Sequence, residues 1–260
     1  MLTNEQLEDL AQLHAFAERF AAEVVIIGAA ALLCFIDLGR FTRDVDLVVA
    51  LDLTDFAALS ADLKAIGWIQ EPGRGHRWRG SKGSLIDLMP AGAGLRAAAQ
   101  IVWPDGSFAM SLVGFEHVFT RSITISFGPD AWFKVAPPPV IALLKIVAYS
   151  EDPQRRRKDL DDLESLLRQY EAKSDRIFGD DVFAAELDDF EYANAFLLGS
   201  DVGTIATDRD AEIVHGFLSK HRMPAEELAA LDQDDFQRYA LRFQMQLKAF
   251  QMGFNSSRLK

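Results

Sequence analysis

The chain has 260 residues and a formal net charge of −12, from 27 Lys and Arg against 39 Asp and Glu. Hydrophobic residues make up 49% and charged residues 25%, a globular balance that excludes a chain disordered throughout. The single cysteine, Cys34, excludes a disulfide framework and a multi-cysteine metal site, and the acidity excludes a protein that coats nucleic acid through bulk charge, because duplex affinity comes largely from neutralising phosphates.

The first residues are polar and acidic, so no signal peptide is expected. The longest apolar run, residues 24–36, is about 13 residues long and falls short of the span a bilayer requires. A cytoplasmic protein with no membrane segment is therefore expected.

Leu7, Leu10, Leu13, Phe16 and Phe20 recur at three- and four-residue steps and predict an amphipathic helix over 4–21. Thr3 and Gln6 have the spacing of a capping box at its start. Residues 23–27 read as a short buried strand ended by Gly28, and 29–38 as a helix that stops at Gly39, with Cys34 in its middle. Residues 45–50 read as a second strand and 55–66 as a helix closed by Gly67. This opening is an α/β pattern.

The pattern then changes. Residues 76–80 and 84–89 flank Gly80-Ser81-Lys82-Gly83 and predict a hairpin. Residues 101–103, 122–127 and 132–135 are weaker strand candidates, with a short helix at 115–120 after the first of them. Strands joined by hairpins imply a mixed sheet and not a doubly wound parallel one. Pro137-Pro138-Pro139 is the clearest punctuation in the chain, and almost no strand signal follows it. Residues 140–149, 158–170, 182–198, 211–220, 225–230 and 236–252 all read as helices. The expected organisation is α+β: an α/β core over 1–136 and a helical half over 137–260.

Asp44 and Asp46 open the second strand, and alternate residues of a strand share a face while Val45 and Leu47 point to the core. Two carboxylates this close repel unless a cation lies between them. Their hard oxygens suit Mg²⁺ (or Mn²⁺); the alternative is a solvated strand end. Asp87, in Leu85-Ile86-Asp87-Leu88, has apolar neighbours and requires a cation or hydrogen-bond donors. The alternative there is a core acid satisfied by backbone or by Arg77. Gly28 stands where a strand passes into a helix and lets backbone N–H groups approach a phosphate, or it simply permits close helix packing. Arg40 and Thr42 lie just before the acid pair. Three carboxylates from two strands beside such a glycine form the core of a site that transfers a nucleotidyl group from a nucleoside triphosphate (NTP) to a hydroxyl.

The stretch from Gly28-Ala29-Ala30 through Arg40-Phe41-Thr42-Arg43-Asp44-Val45-Asp46-Leu47 resembles the signature of the polymerase-beta-like nucleotidyltransferase superfamily, with Ile86-Asp87-Leu88 as its third-carboxylate strand. Leu143-Leu144-Lys145, with Arg157-Lys158-Asp159-Leu160-Asp161-Asp162-Leu163 downstream, is similar to the second pattern of the AbiEii-like nucleotidyltransferases, a group that includes toxins of type IV toxin–antitoxin systems. The resemblance covers roughly residues 20–170. It implies a mixed-sheet nucleotidyltransferase fold with Asp44, Asp46 and Asp87 as catalytic and metal-holding acids and Asp87 also as base. Gly28, Ala29, Arg40, Thr42, Lys145 and Asp159 would serve nucleotide binding. It implies Mg²⁺ or Mn²⁺ as cofactor, an NTP as substrate, and a cognate antitoxin as partner. The acceptor it suggests is a tRNA 3′ end, with a small antibiotic-type molecule as rival and a catalytically silent nucleotide- or protein-binding module as the other class. The chain departs from the family at Ala29, where Gly or Ser is usual; Ala29 supplies a backbone N–H but no hydroxyl.

Lys145 lies in an apolar helix, where a lysine either snorkels to solvent or, by resemblance, contacts the triphosphate. Two basic segments stand out: Arg74, His76, Arg77, Arg79 and Lys82 in the hairpin, and Arg155, Arg156, Arg157 and Lys158 beyond the Lys145 helix. Each is either a solvated charge run or a place to meet tRNA, with Trp78 available to stack on a base.

Overall fold

The computed structural model describes residues 2–104, 109–224, 227 and 235–259. The chain divides into two compact units, Met1–Pro137 and Pro138–Lys260.

In the first unit Thr3 caps α1 (Asn4–Glu18): its hydroxyl accepts the Gln6 N–H while the Gln6 side chain accepts the Thr3 N–H. Such a cap contributes about 1 kcal/mol. Leu10, Leu13 and Ala17 of α1 are fully buried. The elements that follow are β1 (Val24–Ile27), α2 (Gly28–Leu32), β2 (Asp44–Val49), α3 (Leu53–Ala65), β3 (Ile69–Gln70), β4 (Arg77–Arg79), β5 (Leu85–Pro90), α4 (Ala93–Ala98), β6 (Gln100–Val102), β7 (Ala109–Ser111), α5 (Phe115–Arg121), β8 (Ile123–Gly128) and β9 (Ala131–Val135).

Seven strands form one sheet in the order β3-β4-β5-β2-β1-β9-β8, and β6 pairs with β7 apart from it. The sheet is mixed: β1 runs antiparallel to β2 and parallel to β9, and β2 runs parallel to β5. β1 sits inside the sheet and all four of its residues are buried, which explains its unbroken Val-Val-Ile-Ile run. β5 instead alternates, with Ile86 and Leu88 fully buried and Asp87 between them on the other face.

The helix expected over 29–38 stops at Leu32. The apolar run Leu33–Ile36 imitates a continued helix, but the chain turns there on its way to the antiparallel entry of β2. Cys34 therefore lies in a turn and is half-buried, its Sγ donating to Ala30 O at 3.7 Å. Asp9 of α1 is fully buried and accepts the N–H groups of Lys82 (2.9 Å) and Ser84 (3.2 Å) and the Ser81 hydroxyl (3.2 Å). A helix carboxylate thus holds the β4–β5 turn.

The second unit contains α6 (Pro138–Glu151), α7 (Arg157–Gln169), a 3-10 turn (Asp175–Phe178), α8 (Asp180–Ala184), a second 3-10 turn (Phe190–Tyr192), α9 (Ala193–Ile205), α10 (Asp208–His221) and α11 (Asp235–Arg258). Pro138 opens α6, a position where its missing N–H costs nothing. The single helix expected over 182–198 is a correction: the chain breaks between α8 and α9. Glu186 adopts a left-handed φ of 49°, and the Asp189 side chain accepts the Glu191 N–H at 2.9 Å to start a new turn. α9 and α11 approach closely enough that a Cβ on Gly199 would come within 2.0 Å of Phe250 O. The helix expected over 225–230 lies, apart from residue 227, outside the described residues. No helix among the described residues is long and apolar enough to cross a membrane.

Candidate active site

The β2–β5 register sets the three acids. Asp46 lies directly beside Asp87, and Asp44 precedes Asp46 by two residues on the same strand. All three carboxylates therefore share one face of the sheet. Ile27 at the end of β1 pairs with Asp46, which brings the following Gly28 against the Asp46 side chain. Gly28 has φ +65°, and a Cβ there would stand 2.2 Å from Asp46 Oδ2. Both the backbone conformation and the space require glycine.

Two side chains orient Asp44. The Thr42 hydroxyl donates to Asp44 Oδ1 at 2.9 Å, and Arg77 Nη2 donates to Asp44 Oδ2 at 3.2 Å. Arg77 lies opposite Asp87 in the antiparallel β4–β5 pair. It grips that carboxylate in a fork: Nε to Oδ1 at 2.7 Å and Nη2 to Oδ2 at 2.7 Å. The hydrogen bond to Asp87 is the largest of the effects that push the Arg77 pKa further up, so this cation does not deprotonate. The side chains of Arg77, Asp44 and Asp87 are 26%, 39% and 14% exposed, so the cluster is lined up at a partly wet surface.

This arrangement separates the three acids as cation ligands. Asp44 and Asp46 present hard carboxylate oxygens on one strand face, the donor type a divalent ion takes, and the Asp46 side chain packs against Gly28. Asp87 gives one lone pair of each oxygen to Arg77, which makes it the most firmly engaged of the three acids. Among the described residues no group of three or more His, Cys, Asp or Glu is placed to hold a metal.

Other residues singled out by the sequence fall as follows. Ala29 is buried in the first turn of α2, and Arg40 is exposed in the loop before β2. Trp78 is fully buried, its ring 6.4 Å from that of Trp68. The expectation that it stacks on a base is corrected: in Arg77-Trp78-Arg79 the alternation of a strand sends the indole inward. The basic hairpin is largely neutralised within the fold, with Arg74 at 3.6 Å from Glu71 and Lys82 at 3.1 Å from Glu8. A cavity of about 480 Å³ opens beside α3, lined by Phe56, Lys64, Glu71 and Trp103 among others; none of the three acids lines it.

In the second unit Lys145 does not snorkel. It is 6% exposed, and Nζ donates to Asp159 Oδ1 and Asp162 Oδ2, both at 2.8 Å. The i, i+3 spacing on α7 puts both acids on one helix face toward it. Burial opposes the charged ammonium, but the charges of Asp159 and Asp162 outweigh it and hold the Lys145 pKa above its ordinary value. Arg156 stands 3.7 Å from the other oxygen of Asp159, and Arg155 is highly exposed at 3.7 Å from Asp152.

Sequence reasoning missed the Arg77 link to Asp44 and the Asp9 hold on the hairpin. The first was within reach, since a turn over 80–84 sets a register that puts Arg77 opposite Asp87. The second carries no sequence signal, because Asp9 lies among ordinary surface acids in the helix pattern.

Comparison with known proteins follows the same lines. A sequence model of the family described as "Nucleotidyl transferase AbiEii toxin, Type IV TA system" matches residues 9–256. None of the curated proteins matches in sequence. The solved structures it resembles include the antibiotic-resistance factor ANT(2'')-Ia, at 16% identity and TM-score 0.38 over 59% of this chain and 77% of that one. An antigenic nucleotidyltransferase-like protein from Paracoccidioides brasiliensis matches at 18% identity and TM-score 0.41 over 65% and 78%. JHP933 from Helicobacter pylori matches at 14% identity and TM-score 0.40 over 98% and 96%.

Proposed function

The chain belongs to the AbiEii nucleotidyltransferase toxin family and is a nucleotidyltransferase, and we propose that it transfers a nucleoside monophosphate from an NTP to an acceptor hydroxyl in the cytoplasm. The acceptor oxygen bonds to the α-phosphorus, the bond to the β-phosphate oxygen breaks, and pyrophosphate leaves. One observation carries the reading. Asp46 and Asp87 are in register on adjacent strands, with Asp44 on the same face and Gly28 packed against Asp46.

In this reading Asp44 and Asp46 would hold Mg²⁺ or Mn²⁺, which supplies charge neutralisation for the triphosphate when bound. Thr42 fixes Asp44 for that purpose. Asp87 is the third acid and would accept the proton on a lone pair that Arg77 does not take. Gly28 and Ala29 offer backbone N–H groups, and Arg40 a charge, to the phosphates. Within the second unit Lys145 gives two of its three N–H donors to Asp159 and Asp162. A tRNA 3′ end is the acceptor that the family favours. Arg74, Arg77, Arg79 and Lys82 of the hairpin and Arg155, Arg156 and Arg157 after α6 are its candidate contacts. A cognate antitoxin is the expected partner.

A second reading rests on the Arg77 fork and on Ala29: a module that binds nucleotide without turnover. The test separates them. The protein is incubated with each labelled NTP, Mg²⁺ or Mn²⁺, and either total tRNA or aminoglycoside-type acceptors, beside Asp44→Ala and Asp46→Ala. Label transfer is expected, reduced about a thousandfold or more in both variants, equivalent to ~4 kcal/mol of barrier. Transfer that survives both substitutions overturns the site. A thermal shift by NTP without transfer to any acceptor favours the silent module.

A further inference from the structure

The acid cluster already contains a cation. Arg77 reaches two of the three carboxylates, and the two contacts are unequal. The fork on Asp87 has two bonds of 2.7 Å, whereas the single bond to Asp44 is 3.2 Å. Asp87 is also the more buried of the two acids, at 14% against 39% for Asp44. One guanidinium is therefore anchored on Asp87 and leans on Asp44.

We propose that Arg77 is a built-in counter-cation that competes with a divalent ion for Asp44, and that Asp87 acts as its anchor and not as a ligand of that ion. The inference rests on the nucleotidyltransferase reading of the acids and refines it. Three carboxylates converging on one face repel one another. A guanidinium fixed between two of them removes much of that repulsion without a metal. A divalent ion at Asp44 and Asp46 then meets a like charge a few ångströms away and must push the weaker contact aside. Arg77 thereby sets a concentration threshold: the cluster rests in a self-neutralised form and accepts the ion only where supply is sufficient. Held by two short bonds, the guanidinium stays on Asp87 as the contact to Asp44 opens. Arg77 is in this sense a positioning residue whose effect is read in ion affinity.

Binding of Mn²⁺ alone, followed by electron paramagnetic resonance of the free ion, tests this without any turnover. Arg77→Met removes the charge while keeping a comparable stem. It is expected to tighten Mn²⁺ binding roughly tenfold or more, the scale of one unit charge near a divalent ion at a protein surface. Arg77→Lys keeps the charge and is expected to stay within about threefold of the unaltered protein. The double variant Arg77→Met with Asp87→Asn is expected to bind Mn²⁺ about as tightly as the unaltered protein, since one positive and one negative charge have left the cluster together. Unchanged or weaker binding in Arg77→Met overturns the competition, and affinity in the double variant more than about tenfold below that of the unaltered protein overturns the anchor role.

A measurement on the unaltered protein covers the case of a poorly folded variant. The Arg77 Nε–H resonance is expected to shift during Mg²⁺ titration and to persist at saturation, because the fork on Asp87 remains. A resonance that ignores Mg²⁺ while the ion saturates its site also overturns the proposal. Asp46→Ala tells the two levels apart. If the unaltered protein binds Mn²⁺ and Asp46→Ala does not, the acid-pair reading stands whatever the Arg77 variants do. If neither the unaltered protein nor Arg77→Met binds the ion, both fall together.

Discussion

Arg77 in the first unit and Lys145 in the second each face two carboxylates, and the two clusters differ in solvent. Arg77 with Asp87 and Asp44 lies at a sheet surface, with side chains 26%, 14% and 39% exposed. Lys145 with Asp159 and Asp162 lies between helices, at 7%, 17% and 5%. The same stoichiometry therefore does different work. Where water reaches the charges, each can be resolvated, and the pairing is exchangeable. Where water is excluded, removing one member strands the others in a poor dielectric, and the pairing becomes part of the fold.

Lys145→Met breaks that comparison hardest. It leaves two acids facing an apolar side chain, and a loss of about 3–5 kcal/mol is expected in denaturant unfolding. The pH dependence has a definite sign. The Lys145 pKa is raised above its ordinary 10.5, so the cluster's contribution is complete below pH 10.5 and is lost as pH climbs through the folded value. The stability gap between the unaltered protein and Lys145→Met should stay constant from neutral pH to about 10 and narrow above that. A gap that closes near neutral pH would show that the ammonium is not the stabilising group.

Gly28→Ala comes next in size. It forces a left-handed φ on a residue with a Cβ and drives that Cβ at the Asp46 carboxylate. A stability loss of about 1–3 kcal/mol is expected, together with weakened Mn²⁺ binding as Asp46 is displaced. Intact ion binding in a folded Gly28→Ala protein would separate Gly28 from the site. Arg77→Met is the mildest, at about 1 kcal/mol, because Asp44, the most exposed member of the cluster, can turn to water. A loss as large as that of Lys145→Met would erase the distinction between an exchangeable and a fixed cluster.

The legible parts of this molecule are those where one local rule decides. Alternation put Asp44 and Asp46 on one face and Val45 and Leu47 on the other, and residues 44–49 form that strand. Three-four periodicity found α1, and Thr3 with Gln6 form the box their spacing promised. Failures came where a tertiary demand overrode a continuous apolar run. Leu33–Ile36 reads as helix, but the chain has to turn into the sheet. Val182 to Leu198 reads as one helix, but Glu186 and Asp189 break it, bringing Phe178 and Phe183 to the ring of Phe190 at 5.6 and 6.2 Å. β3, β7 and α4 were missed because two- to six-residue elements offer too few periods to see. In the site, residue types were readable and so was one alternative pairing, Asp87 with Arg77, which the structure contains. The reach of the same guanidinium to Asp44 was not, because it depends on how the hairpin and β2 lie side by side.

The hold of Asp9 on residues 81–84 gives α1 a part in the chemistry at long range. The turn it grips joins the strand bearing Arg77 to the strand bearing Asp87. A chain trimmed to start at β1 would keep Asp44, Asp46, Asp87 and Arg77 and the whole recognisable motif, yet lose the peg that times one strand against the other. Its guanidinium would wander, and a sample judged inert would be silent from mechanical slack, with its chemical groups all present. The smallest working piece of this protein therefore begins before its signature does, and residue 9 belongs in any alignment used to decide whether a distant relative can still function.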